Sequence, residues 1–199
     1  MWLGFAIAAC LVAQDREAKL GEIVAKDIRR RTEPAGRSIQ EYVRQVAVRV
    51  VPDAARWSVE AVVGEVAVGP LAIHPPGHLF VPVRVLALAR SEAELAGVIA
   101  YAVAGGGQFR VITPDRPAES ARPEPASRAA EMLAAAGYNP RALADYISRV
   151  EKWRNVQPPE MPPGHWIENT SAFVDAQARV RALDPARPPR QPSLLREKR

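Results

Sequence analysis

Few residues in this sequence have the types and spacing for chemistry. The chain carries three histidines, His74, His78 and His165, and a single cysteine, Cys10. His74 and His78 stand four residues apart. On a helix that spacing puts two imidazoles on one face, where they can grip a zinc ion. Here they flank Pro75-Pro76-Gly77, which reads as a turn, so surface histidines are the simpler reading. Glu92 and Glu94 could pair for general acid–base work. At the first turn of a helix, two carboxylates more simply serve capping and the helix dipole. Ser91, Ser120 and Ser127 have no histidine or lysine at a readable spacing, so a serine nucleophile lacks support. Gly105-Gly106-Gly107 follows an apolar stretch, whereas a phosphate cradle would precede a helix. Asp53 after Pro52 reads as a turn residue, and Trp57, Trp153 and Trp166 as core or rim anchors.

The elements that must position these residues can be read from periodicity. Leu20, Ile23, Val24 and Ile28 recur at helical spacing over 15–32. A second helix is expected over 38–51, with Ser38 as N-cap, Glu41 completing a capping box and Pro52 ending it. Its apolar face is Ile39, Tyr42, Val43, Val46 and Val50. Residues 57–63 alternate like a half-buried strand, and further strands are expected at about 66–73 and 79–83. Residues 84–89 read as a helical turn. Ser91 caps a helix over 91–104 that is apolar nearly all round and therefore buried. A proline-rich loop covers 108–125. Helices follow at about 126–136, 140–153 and 171–183, with a loop over 156–167. No internal repeat is visible.

The chain has 199 residues, 48% hydrophobic and 25% charged, which suits one globular domain over 14–183. Its formal net charge is +5, and the basic residues are dense in the tail 184–199. No aromatics are interleaved with them and no nucleic-acid signature accompanies them, so a disordered tail is expected and nucleic acid is not. Residues 1–13, MWLGFAIAACLVA, are apolar and give way abruptly to charge. That pattern reads as a secretory signal segment with Ala13 as cleavage point, or as a lipoprotein box with a lipid anchor at Cys10. Either places the protein in the periplasm, outside the cell or on a membrane as a lipoprotein. The run is too short for an integral membrane span. One cysteine permits no intrachain disulfide.

Four stretches, in matching order and spacing, carry a resemblance over about 18–153. They are LGEIVAKDI with SIQEYVRQVAVRVV, AIHPPGHLFV, SEAELAGVIA, and AAEMLAAAGYNPRALADYISRVEKW. Together they resemble the zinc metalloendopeptidases that include the Oma-type proteases, the CAAX prenyl proteases and the bacterial periplasmic assembly proteases. In that family SEAELAGVIA would lead into His-Glu-x-x-His. There the two histidines hold zinc and the glutamate takes a proton from the bound water. At the corresponding positions this chain has Tyr101, Ala102 and Gly105. The family's third ligand falls near Arg122 or Pro123 and its aspartate near Ala126 or Ser127, with Glu124 off register. The later Thr-His-Pro segment is also degraded, since 169–183 keeps the helix but no histidine.

The resemblance therefore implies an α+β, zincin-like fold in which a sheet of about three strands packs on the 91–104 helix. It implies no metal, no cofactor and no catalytic residue. The expected role is that of a pseudoprotease. It would bind a polypeptide or envelope protein along the edge formed by His78, Leu79, Phe80 and Val81, because strand addition needs backbone hydrogen bonds and no zinc. The alternative is an active zinc metalloendopeptidase with a metal site rebuilt from His74, His78 and Glu124.

Overall fold

The computed structural model describes residues 3–64, 69–73, 77–106, 108–109, 124–150, 165–167 and 169–183, with the backbone alone at 3–14, 106 and 108–109. The protein is α+β. Seven α-helices run in chain order: α1 Leu3–Arg31, α2 Arg37–Val50, α3 Val83–Leu88, α4 Glu92–Tyr101, α5 Pro125–Ala135, α6 Ala142–Val150 and α7 Ser171–Leu183. Five strands, β1 Glu33–Pro34, β2 Ser58–Val63, β3 Leu71–Ile73, β4 His78–Pro82 and β5 Gln108–Phe109, form one mixed sheet in the order β1-β2-β4-β3-β5. The three inner strands match the expected ones. The two-residue edge strands were not foreseen.

Side-chain alternation gives the sheet two buried faces. Val59 and Ala61 of β2, Ala72 of β3, and Leu79 and Val81 of β4 join the main core with α2, α4, α5, α6 and α7. Val62, Ile73 and Phe80 point the other way and pack on Ala25 and Ile28 of α1. The domain thus has three layers: α1, the sheet, and the remaining helices. Helix α2 packs equally on β2 and α4, whereas α4 packs chiefly on α5, α6 and α2. The apolar 91–104 helix is buried as expected, but it sits mainly within the helical layer.

The strand at 78–81 is not an edge. β4 pairs in parallel with β2, from Ser58↔His78 to Val62↔Pro82, and antiparallel with β3, from Leu71↔Phe80 to Ile73↔His78. His78, Leu79, Phe80 and Val81 are all buried. Both backbone flanks of the strand are occupied, so no peptide can add there.

Local chemistry sets the starts of the helices. Ser91 caps α4, its Oγ accepting from Glu94 N at 3.2 Å. Helix α2 begins one residue before Ser38, and its N-cap is Gly36, without a side-chain cap. The expected capping box is absent because the chain enters this helix directly from β1. Ala35 N bonds Ala61 O at 2.9 Å, and the Gln40 side chain bonds the Ala61 carbonyl at 2.6 Å and its N–H at 2.8 Å. Helix α1 continues unbroken from the apolar 3–13 stretch into the charged segment. No helix among the described residues is long and apolar enough to cross a membrane. The tail 184–199 lies outside the described residues, as do 65–68, 74–76 and 110–123.

Gly97 lets α4 and α6 approach closely. A Cβ there would stand 3.1 Å from Leu143 Cβ and 3.2 Å from its Cα and N. These obstacles are backbone atoms and the Cβ fixed to them, which cannot swing aside. Gly97→Val is expected to lower stability by about 2 kcal/mol through overpacking, read as a shifted urea midpoint. An unchanged midpoint would show that the two helices are not in this contact.

Candidate functional site

The end of α4 carries the positions that the resemblance assigns to zinc. Tyr101 is its last residue and is partly exposed, and Ala102 is buried. A widened turn, Ala102–Gly106, follows and is broken at Gly105, whose φ of 117° lies in the left-handed region. A residue at 105 therefore does not continue the helical face begun at 101. The nearest cationic contact is Arg128 of α5, whose Nη1 donates to Ala104 O at 3.2 Å. A guanidinium at the carboxyl end of a helix complements its dipole. Neither Ala102 nor Gly105 can ligate a metal or accept a proton.

The two described residues of the rebuilt-site alternative, His78 and Glu124, lie on opposite sides of the sheet. His78 faces α1. Its Nε2 lies 3.0 Å from Glu22 Oε1 and its Nδ1 3.3 Å from Arg29 Nη2. A guanidinium can only donate, so the Nε2–H tautomer satisfies both contacts. Arg29 also forks onto Glu60 at 2.5–3.1 Å and stacks over Phe80 at 5.5 Å from the ring centroid. Its pKa is raised, chiefly by the hydrogen bond to Glu60. The cluster fastens α1 to β2 and β4. Glu124 stands exposed just before α5, on the helical side of the sheet. His165 is exposed, and His74 lies outside the described residues. No group of three or more histidine, cysteine, aspartate or glutamate side chains that could hold a metal occurs among the described residues.

The polar chemistry is concentrated at the other end of α4. Capping by Ser91 puts Glu92 and Glu94 in the first turn, and two residues of helix turn them to different sides. Glu92 is only 1% exposed. Its carboxylate accepts from Tyr42 Oη at 2.9 Å, Tyr138 Oη at 2.6 Å, Arg49 Nη1 at 2.8 Å, and Thr170 Oγ1. Its own N–H donates to Asn169 Oδ1 at 3.0 Å. Arg49 Nη1 also reaches Tyr138 Oη at 2.6 Å. Burial, followed by the neighbouring Glu92 carboxylate, pushes both phenols well above the usual tyrosine range, so they remain donors. Every oxygen of this carboxylate is occupied. The arrangement binds segments together and offers no open acid or base.

Glu94 is the other half of the capping motif. Its Oε2 accepts from Arg90 N at 2.7 Å, one residue upstream of the expected partner, and from Arg149 Nη2. Arg149 Nη1 donates to Leu88 O at 2.9 Å, and its guanidinium lies 5.5 Å from the Tyr146 ring centroid. Burial raises the Glu94 pKa above the ordinary glutamate value, against the Arg90 N–H and the Arg149 charge. Beside it is an open cleft of about 570 Å³ lined by Arg90, Glu94, Asp145, Ser148 and Arg149. The sequence pointed to capping at Glu92 and Glu94 but missed their ion pairs. Partners 43 and 55 residues away leave no local signal.

Comparison of the chain with protein-family models and with curated proteins finds no match.

Removing the Glu92 carboxylate strands three hydroxyls and a guanidinium. Glu92→Ala is expected to cost about 3 kcal/mol, about 1 for each hydroxyl that loses its acceptor, while the half-exposed Arg49 can turn to water. Tyr42→Phe, which removes a single donor, is expected to cost about 1 kcal/mol. Denaturant titration of both variants checks the ranking, and equal losses would contradict it. Glu94 gives a pH test. With its folded-state pKa above the unfolded value, its contribution is fully present below the unfolded pKa and is lost as pH rises through the folded one. From about pH 4 to about pH 7 the wild type should therefore lose stability relative to Glu94→Gln. Urea midpoints of the two proteins that stay in step across that range would refute the burial argument.

Proposed function

We propose that the chain is a zincin-like, metallopeptidase-related protein without catalytic activity, acting as a polypeptide-binding or regulatory module in the cell envelope. The observation that carries this reading is the end of α4. Ala102 is buried and Gly105 turns the chain out of the helix at φ 117°. A catalytic zinc needs about three protein ligands and an open position, and the side chains at 102 and 105 offer neither ligand nor base. The buried α4, the mixed sheet and the order of elements are consistent with a zincin-like scaffold that retains its packing. The envelope location rests on the apolar residues 1–13. A site rebuilt around His78 is disfavoured because both ring nitrogens already face partners from α1.

Purified protein is expected to contain no stoichiometric zinc and to show no chelator-sensitive cleavage of casein. Stoichiometric zinc together with cleavage that a chelator blocks, both lost on replacing His74 and His78 by alanine, would overturn the proposal in favour of an active metalloendopeptidase.

A further inference from the structure

We propose that the cleft beside the start of α4 binds a small zwitterion, an α-amino acid, holding its carboxylate with Arg90 and its ammonium with Asp145. The cleft of about 570 Å³ falls within the size range of small-molecule sites. It lies at the opposite end of α4 from the Ala102–Gly106 turn, so the inference stands apart from the metallopeptidase-related reading. Its floor is fixed in advance. Glu94 is buried and accepts from Arg90 N at 2.7 Å and from Arg149 Nη2, and Arg149 Nη1 is tied to Leu88 O at 2.9 Å. Groups already held in this way need little further ordering when a ligand arrives. Both bonds to Glu94 fall on Oε2. Oε1 has no hydrogen-bond partner among the described residues.

The rim, in contrast, is unpaired. Arg90 comes from the turn between α3 and α4, and Asp145 and Ser148 from α6, where a spacing of three residues sets them on one face with Arg149. Arg90 and Asp145 are exposed, line the same cleft and form no ion pair with each other or with another described residue. A cation and an anion held apart across one cleft complement a molecule that carries both charges close together. The lining has two arginines and two carboxylates, so its charges balance. A simple anion would face Asp145 and Glu94, and a simple cation would face Arg90 and Arg149, and like charges brought together disfavour both. An ammonium with N–H groups to give suits Asp145 and the open Glu94 Oε1. A quaternary ammonium would need aromatic faces, which this lining lacks. Burial, with a smaller push from the Asp145 charge, raises the Glu94 pKa, and a ligand ammonium between the two carboxylates opposes both effects.

Glycine is the probe, because it is the zwitterion with no side chain. Titrated into the isotope-labelled full chain, it is expected to shift the amide resonances of Arg90, Asp145 and Ser148 saturably. Acetate and methylamine each carry one of the two charges and are expected to bind at least about tenfold more weakly. Arg90→Gln and Asp145→Asn remove one charge each from exposed positions, and each is expected to weaken glycine binding by at least about tenfold. Amide spectra that otherwise match the wild type show that both variants are folded. Absence of a saturable shift with glycine overturns the proposal. Acetate or methylamine binding as tightly as glycine overturns the zwitterion, and unaltered glycine affinity in either variant overturns the roles given to Arg90 and Asp145.

Discussion

The Glu92 carboxylate is the constraint on which the helical layer depends. A carboxyl group that is only 1% exposed is costly to bury unless every oxygen is paired. Its partners come from three other parts of the chain: Tyr42 and Arg49 from α2, Tyr138 from the turn between α5 and α6, and Thr170 from the entry to α7, where Asn169 also accepts from the Glu92 N–H. Each must arrive at hydrogen-bonding distance together. Ser91 fixes where α4 begins and so where Glu92 points. Further along the same helix, Gly97 fixes how closely α6 can lie. The apolar contacts around them are large but non-directional. The hub supplies the direction and selects one arrangement of α2, α4 and α7 from the many that bury the same area.

The sequence showed the long elements because their periodicity is local. Helix α2 displays Ile39, Val43, Val46 and Val50 on one stripe, and the Ser58–Val63 strand alternates in its first residues. The apolar run His78–Pro82 carried more information than was taken from it. It has no alternation, and a strand without alternation is one buried on both faces. Such a strand belongs in the middle of a sheet, where β4 is found. The edge strands β1 and β5, at two residues each, are too short to leave a pattern. The resemblance singled out Tyr101, Ala102 and Gly105 from the sequence, and the three glycines from 105 are the local signal for the break at Gly105. The hub was not legible, because residues 42, 49, 92, 138 and 170 meet only through the tertiary fold.

The two ends of α4 have different physical characters. At its beginning, carboxylates, arginines and tyrosines are interlocked and largely buried. At its end, small residues, a widened turn and a run of glycines replace them. The ends are about 14 Å apart at 1.5 Å per residue. Interactions this far apart that share no partners contribute to stability almost independently. Side chains at 101–105 can therefore change without disturbing the hub, although the buried Ala102 and Ala104 leave room only for small residues.

That separation also bears on the sheet, which has β4 at its centre. One of its edges, the two-residue pairing of β5 on β3, is hung from the same turn that ends α4. The place where resembling enzymes would hold a metal is thus adjacent in sequence to one of the two short edge strands.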